Sequence, residues 1–217
     1  MTHMPHHLFC VAHFCELHGP LTLLCTQKQL HVSVWPGSLL ALCAACALSL
    51  PNGATSVVSE TRDCLWVSTK YPTSQQIYTS LMKLVMKCLS VESAADPLKP
   101  VFFGDTASGF CLAKVFSLRD VHARGGERKY ALMLVSDSEL AVVHGWGVAA
   151  QYFAEIITLV QRQVEKRRES SLLGGVDPER YLRRSKNVPK SLVELTGDLQ
   201  IFVKLHRVAA ELLADLR

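Results

Sequence analysis

At 217 residues the chain is long enough for one well-cored domain, or for a compact domain that carries an irregular insertion. A hydrophobic content of 49% against 19% charge excludes a disordered chain and suits a sheet covered on both faces. The net charge of +4, with no stretch where basic residues interleave with aromatics, argues against nucleic acid as a partner.

In chain order, residues 8–14 read as a first strand rich in apolar and aromatic side chains. Glu16-Leu17-His18-Gly19-Pro20 makes a turn, and residues 21–26 return as a second strand, so the chain opens on a hairpin. Residues 27–72 show neither helical nor strand period and are punctuated by proline, glycine and serine, which predicts a long irregular connection. Its apolar core, residues 39–50, carries no charge. Pro36, Gly37 and Ser38 on one side and Pro51 on the other hold it well below the roughly 20 residues a spanning helix needs. A buried or interfacial loop is the expectation there.

After Pro72, Thr73 and Gln76 have the spacing of a capping box, and Ile77, Leu81, Leu84, Val85 and Cys88 fall on one helical face. Residues 101–103 form a short strand ending at Gly104-Asp105, followed by strands over 110–118 and 129–135. Both faces of these last two are apolar, which places them centrally between covering layers. Between them lies the polar, glycine-bearing stretch Asp120-Val121-His122-Ala123-Arg124-Gly125-Gly126-Glu127-Arg128, which puts Arg124 at a hairpin tip. A helix with the stripe Phe153, Ile156, Ile157, Val160 and Val164 is expected to end near the basic run Lys166-Arg167-Arg168. Beyond a loop at 174–177, a last helix carries Ile201, Phe202, Leu205, Val208, Ala209 and Leu212 on one face. The fold class is therefore α+β: an antiparallel sheet of about five strands, flanked by one helix on one face and two on the other.

Eight cysteines follow no repeating interval, and residues 1–7 carry histidines but no Lys or Arg, unlike a secretory leader. Reduced thiols buried as small apolar side chains, in a cytoplasmic compartment, are expected. His13 and Cys15 share one face of the first strand and, with Cys43 and Cys46, offer the residue types of a zinc site. A single Cys-x-x-Cys without a matched second pair does not assign one, so neither metal nor other cofactor is expected. His3, His6 and His7 read as residues of a frayed terminus, and His18 as support for its turn. Gly-x-Ser-x-Gly, the phosphate-binding Gly-x-x-x-x-Gly-Lys and His-Glu-x-x-His are all absent, so any chemistry must be completed in a partner's site.

The segments His13-Phe14-Cys15-Glu16-Leu17-His18-Gly19-Pro20, Phe102-Phe103-Gly104-Asp105, Gly109-Phe110 and Ala123-Arg124-Gly125, in this order, resemble the amino-terminal longin domain of the folliculin family. Cys43 with Cys46, and Lys190-Ser191-Leu192 through Leu195-Thr196, resemble that family's long loop and its lead-in to the final helix. The likeness covers nearly the whole chain and is to short, fungal-style members without the DENN domain. It departs between Cys25 and Tyr71, where the family's loop is acidic and serine-rich and this one is apolar.

The resemblance implies a single longin domain over 1–217 with an irregular insertion at 27–72. It further implies a GTPase-activating subunit for a RagC/D-type GTPase in amino-acid and TOR signalling. Such a subunit works as a heterodimer with a folliculin-interacting-protein-like longin/DENN protein, in the cytoplasm and peripherally on the vacuolar or lysosomal membrane through its partners. Arg124 would be the arginine finger, catalytic only in trans, because a guanidinium can stabilise charge on the phosphoryl oxygens of GTP by bidentate hydrogen bonds. Gly125 would let the loop approach a nucleotide pocket, and Arg128 would help by charge or by holding the loop. From the residues alone, both arginines read as solvated loop positions. The alternative function is a non-catalytic longin scaffold or adaptor that pairs with another longin domain.

Overall fold

The computed structural model describes residues 7–29, 43–90, 99–173 and 188–216. His3, His6, most of the apolar run before Cys43 and the loop at 174–177 lie outside them. Seven strands form one sheet: β1 (Leu8–Cys15), β2 (Gly19–Lys28), β3 (Val57–Thr61), β4 (Cys64–Thr69), β5 (Val101–Asp105), β6 (Gly109–Arg119) and β7 (Glu127–Ser136). Their order across the sheet is β3-β4-β2-β1-β7-β6-β5, and every pairing is antiparallel. The expected α+β class is found, with two strands more than the sequence suggested.

The extra pair, β3 and β4, lies inside the stretch read as irregular, and that reading is corrected for 57–69. Two features hid the hairpin. Its two-residue turn uses Arg62 and Asp63, both at positive φ (51° and 57°), where such turns are usually signalled by Asn-Gly or Asp-Gly. Strand β4 is also buried on both faces at most positions, so it lacks the apolar–polar alternation that marks a half-exposed strand.

Each central strand divides its side chains between two layers, as the pleat requires. Leu8, Cys10 and Ala12 of β1, with Ala131, Met133 and Val135 of β7, face helix α1 (Gln75–Ser90) and its Leu81, Leu84 and Val85. The small residues Cys10, Cys25, Cys111 and Ala113 on this face let the helix lie close. Phe9 and Val11 of β1 and Leu132 and Leu134 of β7 face the opposite layer. That layer holds α2 (Glu139–His144), α3 (Trp146–Leu173), α4 (Leu192–Thr196) and α5 (Ile201–Asp215). Phe153 of α3 meets Phe9 with ring centroids 6.2 Å apart, and Ile201, Phe202 and Leu205 of α5 are fully buried. Each such side chain contributes about 1.5–3 kcal/mol by leaving water.

α1 starts at Gln75, with the Ser74 carbonyl accepting from Tyr78 N–H, while the Thr73 hydroxyl accepts from Gln27 Nε2 at 2.6 Å. α3 does not stop at the basic run; it continues to Leu173, with Glu165 and Arg168 paired one turn apart on its exposed side. α4 is short but fully punctuated. Ser191 and Glu194 form a reciprocal capping box, and Gly197 closes the helix at φ 66°. Among the described residues no helix is long and apolar enough to cross a membrane.

Candidate functional site

Two turns of the sheet meet at one end. The first is residues 16–18, between β1 and β2; the second is residues 120–126, between β6 and β7. In the second, Asp120 N–H donates to Gly126 O at 2.9 Å, Ala123 N–H to Asp120 O at 3.0 Å, and Gly126 N–H to Ala123 O at 3.0 Å. These bonds coil the loop into a tight knot that Gly125 and Gly126 complete at φ 76° and 77°. A Cβ on either glycine would meet nothing within 4 Å, so the sequence uses glycine there for its backbone, not for space.

Arg124 is exposed on this knot, at the position the sequence assigned to a hairpin tip. Among the described residues its guanidinium makes no ion pair with Asp120 or Glu127; only its backbone is tethered, N–H donating to Glu16 Oε1 at 2.6 Å. Glu16 belongs to the first turn, so two sequence segments more than a hundred residues apart converge on one hydrogen bond. In the same two turns Leu17 and Val121 stand 64% and 69% exposed, apolar side chains left uncovered among the described residues.

Arg128 is not a solvated strand-start residue. It is 8% exposed, its Nε donates to Asp120 Oδ2 at 2.7 Å, and its Nη2 donates to Val188 O at 2.6 Å. The burial follows from register: Arg128 pairs with Leu118 in the sheet and points with it toward the helical layer, where the segment before α4 closes over it. Of the two roles considered for this residue, holding the loop is the one its contacts describe. Asp120 is the hub, also accepting from His122 N–H at 3.1 Å and lying 3.5 Å from Lys190 Nζ. Burial pushes its carboxyl up, but the His122 N–H and the Arg128 guanidinium outweigh that and hold it below the usual carboxylate range.

A second chemical cluster of this end is built on the residues that flank Glu16 in the β1–β2 turn, Cys15 and His18. Sγ of Cys15, Nδ1 of His18, Sγ of Cys43 and Sγ of Cys46 all lie within 4.8 Å of one another. His13, which the sequence grouped with Cys15, is not among them: its buried ring lies 5.9 Å from that of Tyr130. Two residues along a strand are about 6.6 Å apart, whereas a tight turn folds residue 18 back beside residue 15. The signal was present in the sequence as Cys15-x-x-His18, which matches the spacing of Cys43-x-x-Cys46. Glu16 and Asp120, the braces of the Arg124 loop, carried no signal beyond the motifs that contain them.

The Phe102-Phe103-Gly104-Asp105 and Gly109-Phe110 segments lie at the far edge, in the β5–β6 hairpin. Gly104 sits at φ 147°, and a Cβ there would fall 2.3 Å from Gly109 O. Asp105 Oδ1 accepts from Ala107 N–H at 3.0 Å and Ser108 N–H at 2.7 Å. That motif builds a turn.

Residues 64–216 match the protein family described as "Folliculin: Vesicle coat protein involved in Golgi to plasma membrane transport". Among curated relatives, the folliculin-like protein bhd1 of Schizosaccharomyces pombe is 34% identical over 105 residues, covering 46% of this chain and 29% of that protein. Folliculin of Homo sapiens is 25% identical over 263 residues, 95% of this chain and 45% of that protein. Protein LST7 of Saccharomyces cerevisiae is 26% identical over 228 residues, 91% of this chain and 90% of that protein. The chain thus spans less than half the length of bhd1 and of human folliculin.

Proposed function

Since this chain belongs to the folliculin family, we propose that it is the GTPase-activating subunit for a RagC/D-type GTPase in amino-acid and TOR signalling, with Arg124 as the arginine finger. In this reading it is a longin subunit in a heterodimer with a folliculin-interacting-protein-like partner and reaches the vacuolar or lysosomal membrane through its partners. The observation that carries the reading is the contrast between the two arginines of the loop. Arg128 is consumed by Asp120 and Val188, whereas Arg124 is exposed, its backbone is fixed by Glu16, and its guanidinium meets no acceptor among the described residues.

A finger needs this combination. As water bonds to the γ-phosphorus and the bond to the bridging oxygen breaks, charge gathers on the departing diphosphate and the equatorial oxygens. A planar guanidinium entering from outside can bond two of these oxygens at once, and lysine cannot reproduce that fork. A tethered backbone reduces the entropy lost on docking. The exposed Leu17 and Val121 supply apolar contact around the entry point.

The test is single-turnover GTP hydrolysis by the GTPase with the wild-type heterodimer, with Arg124→Ala and with Arg124→Lys, binding being measured in parallel. Both variants are expected to bind and to lose most of an acceleration of about 10³–10⁵. Equal acceleration by Arg124→Ala would favour the alternative, a non-catalytic longin scaffold or adaptor.

A further inference from the structure

We propose that Cys15, His18, Cys43 and Cys46 are the four ligands of a tetrahedral zinc site that staples the β1–β2 turn to the turn at 43–46. The donor set is three thiols and one imidazole, all soft or borderline ligands that suit zinc and not the oxygen-seeking calcium or magnesium. The proposal is independent of any role for Arg124.

Geometry carries the argument. Cys15 Sγ lies 3.6 Å from Cys43 Sγ, and Cys43 Sγ lies 3.6 Å from Cys46 Sγ. His18 Nδ1 lies 3.5 Å from both Cys15 Sγ and Cys46 Sγ. A tetrahedral ion with Zn–S of about 2.3 Å and Zn–N of about 2.05 Å would set S···S edges near about 3.8 Å and S···N edges near about 3.6 Å. The four atoms therefore already outline the coordination shell. A disulfide does not explain them: a bonded pair would stand at about 2.05 Å, and Cys43 is equally near two partners.

The surroundings agree. Cys46 N–H donates to Cys43 O at 3.0 Å, closing a tight turn that presents both thiols to one point. Three thiolates around a divalent ion leave one negative charge. The Lys70 ammonium lies beside it, donating to Cys46 O. Cys15 and Cys46 are buried while His18 is exposed, so the ion would sit at the rim of the fold, open to exchange through the imidazole side. The staple would tie the 43–46 turn to β1 and its turn, adding to the burial of Ala45 and Cys46 and the Lys70 bond, and binding energy at such a site is folding energy.

The test uses the full chain purified under reducing conditions, with zinc measured by elemental analysis and cobalt titrated into the metal-free protein. One ion per chain is expected, with thiolate-to-cobalt charge-transfer bands and the intense visible bands of tetrahedral coordination. Cys43→Ser, the substitution at the half-buried thiol, should weaken binding by more than about 100-fold, with far-UV circular dichroism of the metal-free variant checking that it is folded. His18→Cys should keep the ion, with a cobalt spectrum shifted toward four sulfurs, and replacing His3, His6 and His7 together by alanine should change nothing. The proposal fails if the reduced wild type binds no stoichiometric ion, if Cys43→Ser binds as wild type, or if the ion departs with the N-terminal histidines.

Discussion

Arg124 and Arg128 stand four residues apart in one loop, and their fates differ because of what each position faces. The strand register turns Arg128 inward, where Asp120 and the Val188 carbonyl take its donors. Arg124 lies in the loop beyond the strand register, exposed and followed by two glycines at positive φ. Removing Arg128 would leave the Asp120 carboxylate buried with, among the described residues, only the more distant Lys190 as a cation. Arg128→Ala is therefore expected to cost about 3–5 kcal/mol, whereas Arg124→Ala should lie within about 0.5 kcal/mol of wild type. Chemical denaturation of both variants checks this; a loss of stability in Arg124→Ala comparable to that in Arg128→Ala would show that Arg124 too is structural. The same comparison guards the hydrolysis assay, because lost activity in a stable Arg124 variant cannot be assigned to unfolding.

Among the elements, the β5–β6 hairpin is the most constrained by a single residue. At Gly104 both the backbone angle and the approach of the Gly109 carbonyl exclude a side chain, so the strands would have to separate to admit a methyl group. Gly104→Ala should destabilise the protein by more than about 3 kcal/mol, beyond the 1–2 kcal/mol of a strained backbone alone. Gly125→Ala, where only the backbone resists, should cost about 1–2 kcal/mol. Melting temperatures of the two variants measured side by side would reverse in order if space were not the deciding term. The sequence announced some elements and hid others for comparable reasons. β1, β6, β7, α1 and α5 are long enough for their period to register. The β3–β4 hairpin turns through Arg62-Asp63 without glycine, and α3 outran its basic run because Glu165 and Glu169 neighbour those cations. α4 was missed although Ser191, Glu194 and Gly197 spell out both of its caps, since a helix of five residues is too short to show a stripe.

For the molecule as a whole, a buried polar chain joins the helical layer to the sheet edge. Thr26 Oγ1 lies 2.6 Å from Ser68 Oγ, which lies 2.7 Å from His206 Nδ1, and His206 Nε2 lies 2.8 Å from Ser59 Oγ. Burial, with the Arg207 charge added, depresses the imidazole from 6.5 to about 4. The folded protein thus refuses a proton that the unfolded chain accepts between about pH 6.5 and 4. Stability is full above pH 6.5 and falls through this window on acidification, with a slope from His206 approaching about 1.4 kcal/mol per pH unit. Buried His13, depressed to about 3, tilts the curve the same way. Denaturation at pH 7 and at pH 5 should show His206→Gln losing less stability on acidification than the wild type does; equal losses would remove His206 from the account.

The layers were set by the sequence itself, because the twofold period of a strand and the 3.6-residue period of a helix are local properties. They set Leu132 and Leu134 opposite Ala131 and Met133 on their strand and put Leu81 and Leu84, or Phe153 and Ile156, on one stripe of their helix; the structure decided which stripe covers which face. The turn residues likewise put Arg124 on a tip. Only the tertiary structure decided what that tip rests on and what surrounds it: Glu16 on the Arg124 N–H, Arg128 drawn under Val188, and His18 in place of His13 beside three thiols. Each of these depends on how segments far apart in the chain are brought together at one end of the sheet, and a meeting between distant residues leaves no period in either of their neighbourhoods.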